Sequence, residues 1–480
     1  MKMDGSIAPE ASLQLPISSA RAVKRLGCFI FYALLVLIAL AAIPYGTVQP
    51  WWQALFECAV FGLAGLWIIE GYLSGSWQLD AYRLLWPLVA LVVFALLQTV
   101  PLHGAGDVAL GAGGVVWHAL SADPQGTRRW ASKVMALVLT GAMLLRYTDS
   151  ERRQRTLAYL VIGVAVASAV FGLLRQMTQH NVGFVLPHLK PGFGYAQFVN
   201  KNHFPFLVEM ALGLLLGLML SETGRRERLP AYLGLILLLC GALVLSRSRG
   251  GLLSLLCQLI FTALLFSSVR SNGSSKSFAL RWAKLMAGSL MVRALLIICL
   301  IVVVCVGIVW VGGDPLVGNL EAMQAEVGAP AKGIRWAVRR KEIWPATTAL
   351  IKEHPVAGVG FGGYWMAIPQ YHDGSGEKTP QEAHNDYLEF LASGGLIGLA
   401  LGAWFIYELI QRLRQRRLRS NDSSGRALRL GALVGLSGVA VHSLVDFGLH
   451  ITINAVVFMT LLVIATQNVS TKTTNSSVAA

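Results

Sequence analysis

Charge is scarce in this chain. Only 14% of its 480 residues are Asp, Glu, Lys or Arg, against 55% hydrophobic. A soluble domain averages about 25% charged. The mean hydropathy of +0.59 likewise excludes an ordinary soluble protein. Acids are the scarcer sign, 25 against 40 basic residues. No zinc-finger spacing and no aromatic–basic ribbon accompanies that excess, so nucleic acid is not the expected partner. Cysteine is also sparse. Cys28, Cys58, Cys240, Cys257, Cys299 and Cys305 all fall in apolar segments, which argues for buried small hydrophobes and against a disulfide framework or a thiolate metal site. No Asp-x-Asp pair occurs in an external segment, so metal dependence is not suggested, and no cofactor is expected.

What the chain has in abundance is apolar runs of spanning length. Their period is not the alternation of a β-barrel. The expected class is all-α: a polytopic membrane protein with about twelve transmembrane helices and one large external helical loop. The spans are placed near residues 26–45, 51–70, 83–101, 128–146, 156–177, 204–221, 229–246, 250–267, 294–312, 387–409, 430–447 and 451–467. The first follows Arg21, Lys24 and Arg25 and is too long for a signal-peptide core, so it reads as an uncleaved span. Domain organisation follows: an N-terminal tail at 1–25, helices one to nine at 26–312, the large loop at 313–386, helices ten to twelve at 387–467 and a tail at 468–480. Most Lys and Arg in short connections fall on one side. This positive-inside bias puts both termini in the cytoplasm and the large loop outside, in the periplasm of a Gram-negative inner membrane.

The polar residues of interest gather on that external side. His384-Asn385-Asp386 heads an apolar helix. On helical spacing His384, Leu388, Leu391, Gly395, Gly398 and Gly402 share a stripe along which another helix could approach closely. A neutral imidazole there can accept a proton from an attacking hydroxyl, and Asp386 and Glu389 are near enough in sequence to orient it. Arg247 and Arg249 interrupt two leucine-rich spans, and a guanidinium fork pairs two oxygens of one phosphate. Arg339 and Arg340 add charge within a predicted helix over 334–352 that His354-Pro355 ends. A glycine-rich turn, Val356–Tyr364, lacks the Lys-Ser/Thr partner of a P-loop. Asn200, Lys201, Asn202 and His203 cap the start of another span. His442, Asp446 and His450 recur at four-residue spacing. They are too few to make a convincing metal site and suit a structural or acceptor-side role.

These motifs resemble the O-antigen ligase and Wzy-type polysaccharide polymerase superfamily. The resemblance runs from about Ile43-Pro44-Tyr45-Gly46 to Asp446-Phe447-Gly448-Leu449-His450. It is most specific at His384-Asn385 followed by Gly395-x-x-Gly398, at Arg340–Trp344 with Glu353–Gly360, at Ser248-Arg249-Gly250, and at Val199–Phe204. Pro205 stands where a small residue such as alanine is expected. The resemblance implies a bundle related to GT-C glycosyltransferases. It implies a glycan donor on undecaprenyl diphosphate, His384 as base, and Arg249 with a loop arginine, foremost Arg340, holding the diphosphate. Arg247 and Arg339 would support them, and Asn200, Lys201, Asn202, His203, Asn385 and Asp446 would contact substrate secondarily. The acceptor stays open among lipid A core, the next lipid-linked repeat and a protein hydroxyl. A transporter of lipid-linked sugar would need inverted repeats and charges at midplane depth, and the sequence has neither.

Overall fold

The computed structural model describes residues 17–75, 79–101, 117–178, 194–221, 226–268, 297–307, 340–372, 380–419 and 423–467. They form helices α1 (Ile17–Ala42), α2 (Pro50–Ser74), α3 (Trp86–Gln98), α4 (Pro124–Tyr147), α5 (Glu151–Met177), α6 (His203–Ser221), α7 (Leu229–Leu245) and α8 (Arg249–Ser268). An apolar segment follows as α9 (Ile297–Gly307). Next come α10 (Arg340–Glu353), α11 (Tyr364–Ala367), α12 (Asp386–Arg419), α13 (Ser423–His442) and α14 (Thr452–Thr466). Among the described residues the only β pairing is isolated bridges, so the all-α expectation holds there. Among these same residues four helices have the length and apolarity to cross a bilayer, those covering Arg21–Ala42, Pro50–Ser74, Glu151–Met177 and Asp386–Gln415, and six shorter apolar helices accompany them. The cysteines are unpaired, but Cys58, Cys299 and Cys305 are exposed rather than buried, on helices whose outward faces are apolar.

The core is organised around α6 and α13. Met210, Ala211, Leu214 and Leu218 of α6 are fully buried. A methyl added at Gly213 would lie 2.4 Å from the Gly435 nitrogen, and one at Gly217 would lie 2.7 Å from the Ala427 carbonyl oxygen. The two backbones therefore touch along a glycine seam, the arrangement that dispersion and close approach favour between helices in a bilayer. A fully buried polar contact, His442 Nδ1 to Glu209 Oε1 at 2.9 Å, pins the end of α13 to α6.

The glycine stripe predicted for α12 is corrected. His384 lies before the helix with φ 51, and Gly395 (φ 58, ψ −155) breaks it. The break is filled by the turn after α10. The N–H groups of Val359 and Gly360 donate to the carbonyls of Ala392 and Ser393, while those of Leu396 and Ile397 donate to Pro355 and Val356. Gln98 of α3 adds bonds to the carbonyls of Ala357 and Ser393. Irregular backbone at membrane depth survives only when its polar groups are met by protein, and here they are. The glycines of the 356–364 turn thus serve a backbone seam. Gly358, Gly360 and Gly362 all adopt positive φ, and a methyl on Gly358 would sit 2.4 Å from Ser393 carbonyl carbon.

Candidate active site

One end of the bundle gathers the starts of α4, α6, α8, α12 and α14 and the end of α13. Tyr45-Gly46-Thr47, all at positive φ, joins this end to α14. Ile453 N–H donates to the Gly46 carbonyl at 3.2 Å, and the Thr452 hydroxyl to that of Thr47 at 2.8 Å. Asn385 caps α12, its side-chain oxygen accepting the N–H groups of Tyr387 and Leu388 at 3.0 Å. Asp386 docks on the α13 terminus through its own N–H to the Ser443 carbonyl and through the Ser443 hydroxyl at 2.7 Å. With both neighbours tied down, His384 is presented in a left-handed conformation, which histidine tolerates better than most residues.

His384 Nδ1 lies 3.4 Å from Oδ1 of Asp446, whose side chain is 2% exposed. This is ion-pair range, though Nδ1 is buried without an aligned hydrogen bond. The His384 side chain is 31% exposed, so its exposure belongs to the rest of the ring. That ring borders a cavity of about 730 Å³ that also touches Arg129, Lys133, His203, Trp365, Glu382, Asp386, Glu389, Phe447 and His450. Phe447 is the hub of three imidazoles, with edge contacts to His203 and His384 at 4.8 Å and to His450 at 5.8 Å.

Asp386 and Glu389 do not orient His384. Both face His450, whose Nε2 is 3.6 Å from each, while its Nδ1 is 3.2 Å from Glu382. Burial opposes a charge on His450, but Glu389 and Glu382 overcome it and push the imidazole up to about 10. Burial likewise opposes ionisation of Glu382, yet the His450 charge holds that carboxyl below its usual range. At neutral pH His450 is therefore an imidazolium and cannot serve as a base. Ligand atoms of Glu382, Glu389 and His450 lie within 4.8 Å of one another, the composition of a metal site.

The four-residue spacing of His442, Asp446 and His450 does not put them on one helical face, because α13 ends at His442. Each has its own partner: Glu209, His384 and the Glu382 cluster. His203 stands buried at the cavity wall. Asn200 accepts the Asn202 N–H at 3.0 Å, and neither it nor Lys201 nor Asn202 borders the cavity. Arg247 is exposed with φ 53 between α7 and α8. Arg249 opens α8, where the next residue packs on His442, a methyl on Gly250 being 2.7 Å from Nε2. The cavity lining includes neither arginine. Arg340 begins α10, and Arg339 lies outside the described residues. Pro205 falls in the first turn of α6, where its missing N–H costs nothing, and packs against Gly251.

Residues 234–403, from α7 to within α12, match the family model described as O-antigen ligase. Over this segment, about a third of the chain, the protein is similar to that family. No curated protein matches the chain. The matched segment contains Arg247, Arg249, Arg340, His384 and the carboxylates that hold His450. Asp446, His450, His203 and the α4 cations come from outside it and join it only in the fold. Arg129 and Lys133 were missed in the sequence because they resemble the basic flank of a span. Their four-residue spacing on one face of α4 was the available signal.

Proposed function

We propose that the chain is an inner-membrane glycan transferase with its site on the periplasmic side. It moves an oligo- or polysaccharide from undecaprenyl diphosphate to an acceptor hydroxyl. The observation that carries this reading is the His384–Asp446 pair at the cavity wall. His384 takes the acceptor proton as the hydroxyl oxygen bonds to the anomeric carbon, and the bond from that carbon to the diphosphate breaks. Asp446 offsets the charge that forms on the imidazole, the role a carboxylate plays behind a catalytic histidine. A single displacement inverts the anomeric centre. The leaving diphosphate needs cations, for which Arg249 at the α8 N-terminus and Arg340 on α10 are proposed, supported by Arg247 and Arg339. No step requires a metal. The O-antigen ligase match and the apolar helices support a membrane glycan enzyme of this class.

The acceptor is read from surface glycans of a deletion strain on gels. A ligase leaves the lipid core bare while lipid-linked polymer persists, and this is the expected pattern. Single repeats on the core identify a polymerase. Normal lipopolysaccharide with unglycosylated protein identifies a protein O-oligosaccharyltransferase. Unchanged lipopolysaccharide, exopolysaccharide and glycoprotein would contradict a transferase of any of these kinds.

A further inference from the structure

The cavity is lined by Glu382, Asp386, Glu389 and His384 and also by Arg129 and Lys133 of α4, with Glu382 and Glu57 near enough to act electrostatically on Lys133. Arg129 is exposed to the cavity and has no carboxylate partner among the described residues. Lys133 Nζ donates to the His450 carbonyl, which leaves two of the three ammonium hydrogens free for a ligand. The α4 face is braced at the helix N-terminus and next to Lys133. Ser132 donates to Glu57 of α2 at 2.5 Å, and the capping Asp123 accepts the Gly126 N–H at 2.9 Å and the Trp365 indole N–H at 3.1 Å. A guanidinium and an ammonium four residues apart on one face of a braced helix offer donors that suit the oxygens of a phosphate group.

We infer that Arg129 and Lys133 form a phosphate-oxyanion subsite on α4, within the cavity that His384 borders. This rests on the transferase reading and adds to it a second cationic element besides the α8 and α10 arginines. Two sources of phosphate fit the chemistry: the donor diphosphate, and a phosphate carried by the acceptor.

The test uses the full-length protein in lipid nanodiscs with lipid-linked donor and acceptor, comparing wild type, Arg129→Gln and Arg129→Lys. Removing one charge-assisted hydrogen bond corresponds to roughly a 10- to 100-fold change in apparent affinity. A donor subsite raises KM for donor by that factor in Arg129→Gln and equally weakens inhibition by inorganic diphosphate. An acceptor subsite raises KM for acceptor and leaves diphosphate inhibition unchanged. In either case kcat falls much less, and Arg129→Lys recovers part of the loss. Unchanged KM for both substrates in Arg129→Gln would overturn the subsite. Absence of transfer by the wild-type protein would instead overturn the transferase reading, so the two failures are distinguishable.

Discussion

Asp446→Asn removes one charge while keeping the size and shape of the side chain. The amide oxygen can still accept the Phe447 N–H, which Oδ1 of Asp446 accepts at 3.0 Å, and the side chain keeps its shape. What disappears is the carboxylate 3.4 Å from His384 Nδ1. Two unit charges at that separation attract by about 5 kcal/mol at an effective dielectric of 20, which is a ceiling. The His384 ring is about one-third exposed, and solvent screening brings the contribution down to roughly 1.5–3 kcal/mol, the range for hydrogen bonds to charged groups. Since His384 becomes charged only as it takes the acceptor proton, the loss falls on the transition state. It should appear in kcat as a roughly 10- to 150-fold decrease, with KM for both substrates little changed. Single-turnover transfer of labelled glycan from a lipid-linked donor measures this directly. Wild-type kcat in Asp446→Asn, with the protein correctly folded, would refute the charge-offset role.

Other outcomes follow from the same geometry. His450 has its proton affinity raised in the folded state to about 10, against about 6.5 for the unfolded chain. Its stabilising contribution is therefore complete below about pH 6.5 and lost as pH rises toward 10. Melting temperature should fall over that window in the wild type and fall less in His450→Gln; equal slopes would contradict the ion cluster. Gly395→Ala should destabilise the fold, since φ 58 and ψ −155 suit only glycine, a strain of about 1–3 kcal/mol, and the methyl would in addition lie 2.5 Å from Val356 backbone. Gly398→Ala, with its nearest neighbour at 3.4 Å, should be tolerated. Thermal unfolding of the two variants in matched detergent checks the contrast.

The sequence made the helical membrane class legible because hydrophobic runs and sparse charge are local properties. His384 was legible through its motif, and so was the end of α10 at His354-Pro355. The orientation of His384 was not. Asp386 and Glu389 were the natural candidates by proximity in the chain, yet Asp446 is the residue that faces it, delivered by α13 docking on α6 through Gly213, Gly217, Gly431 and Gly435. Gly395-x-x-Gly398 read as a packing stripe, because nothing local reveals that the 356–364 turn inserts there and takes over the backbone bonds. Residues from α4 were hidden for a related reason: an Arg and a Lys at a span's edge carry the same local signal whether they meet headgroups or a cavity.

The central claim is that His384 is the base, and His384→Ala in the purified transfer assay tests it most directly. With the variant folded and binding lipid-linked donor as the wild type does, transfer to the acceptor is expected to be abolished. Transfer at the wild-type rate would contradict the assignment.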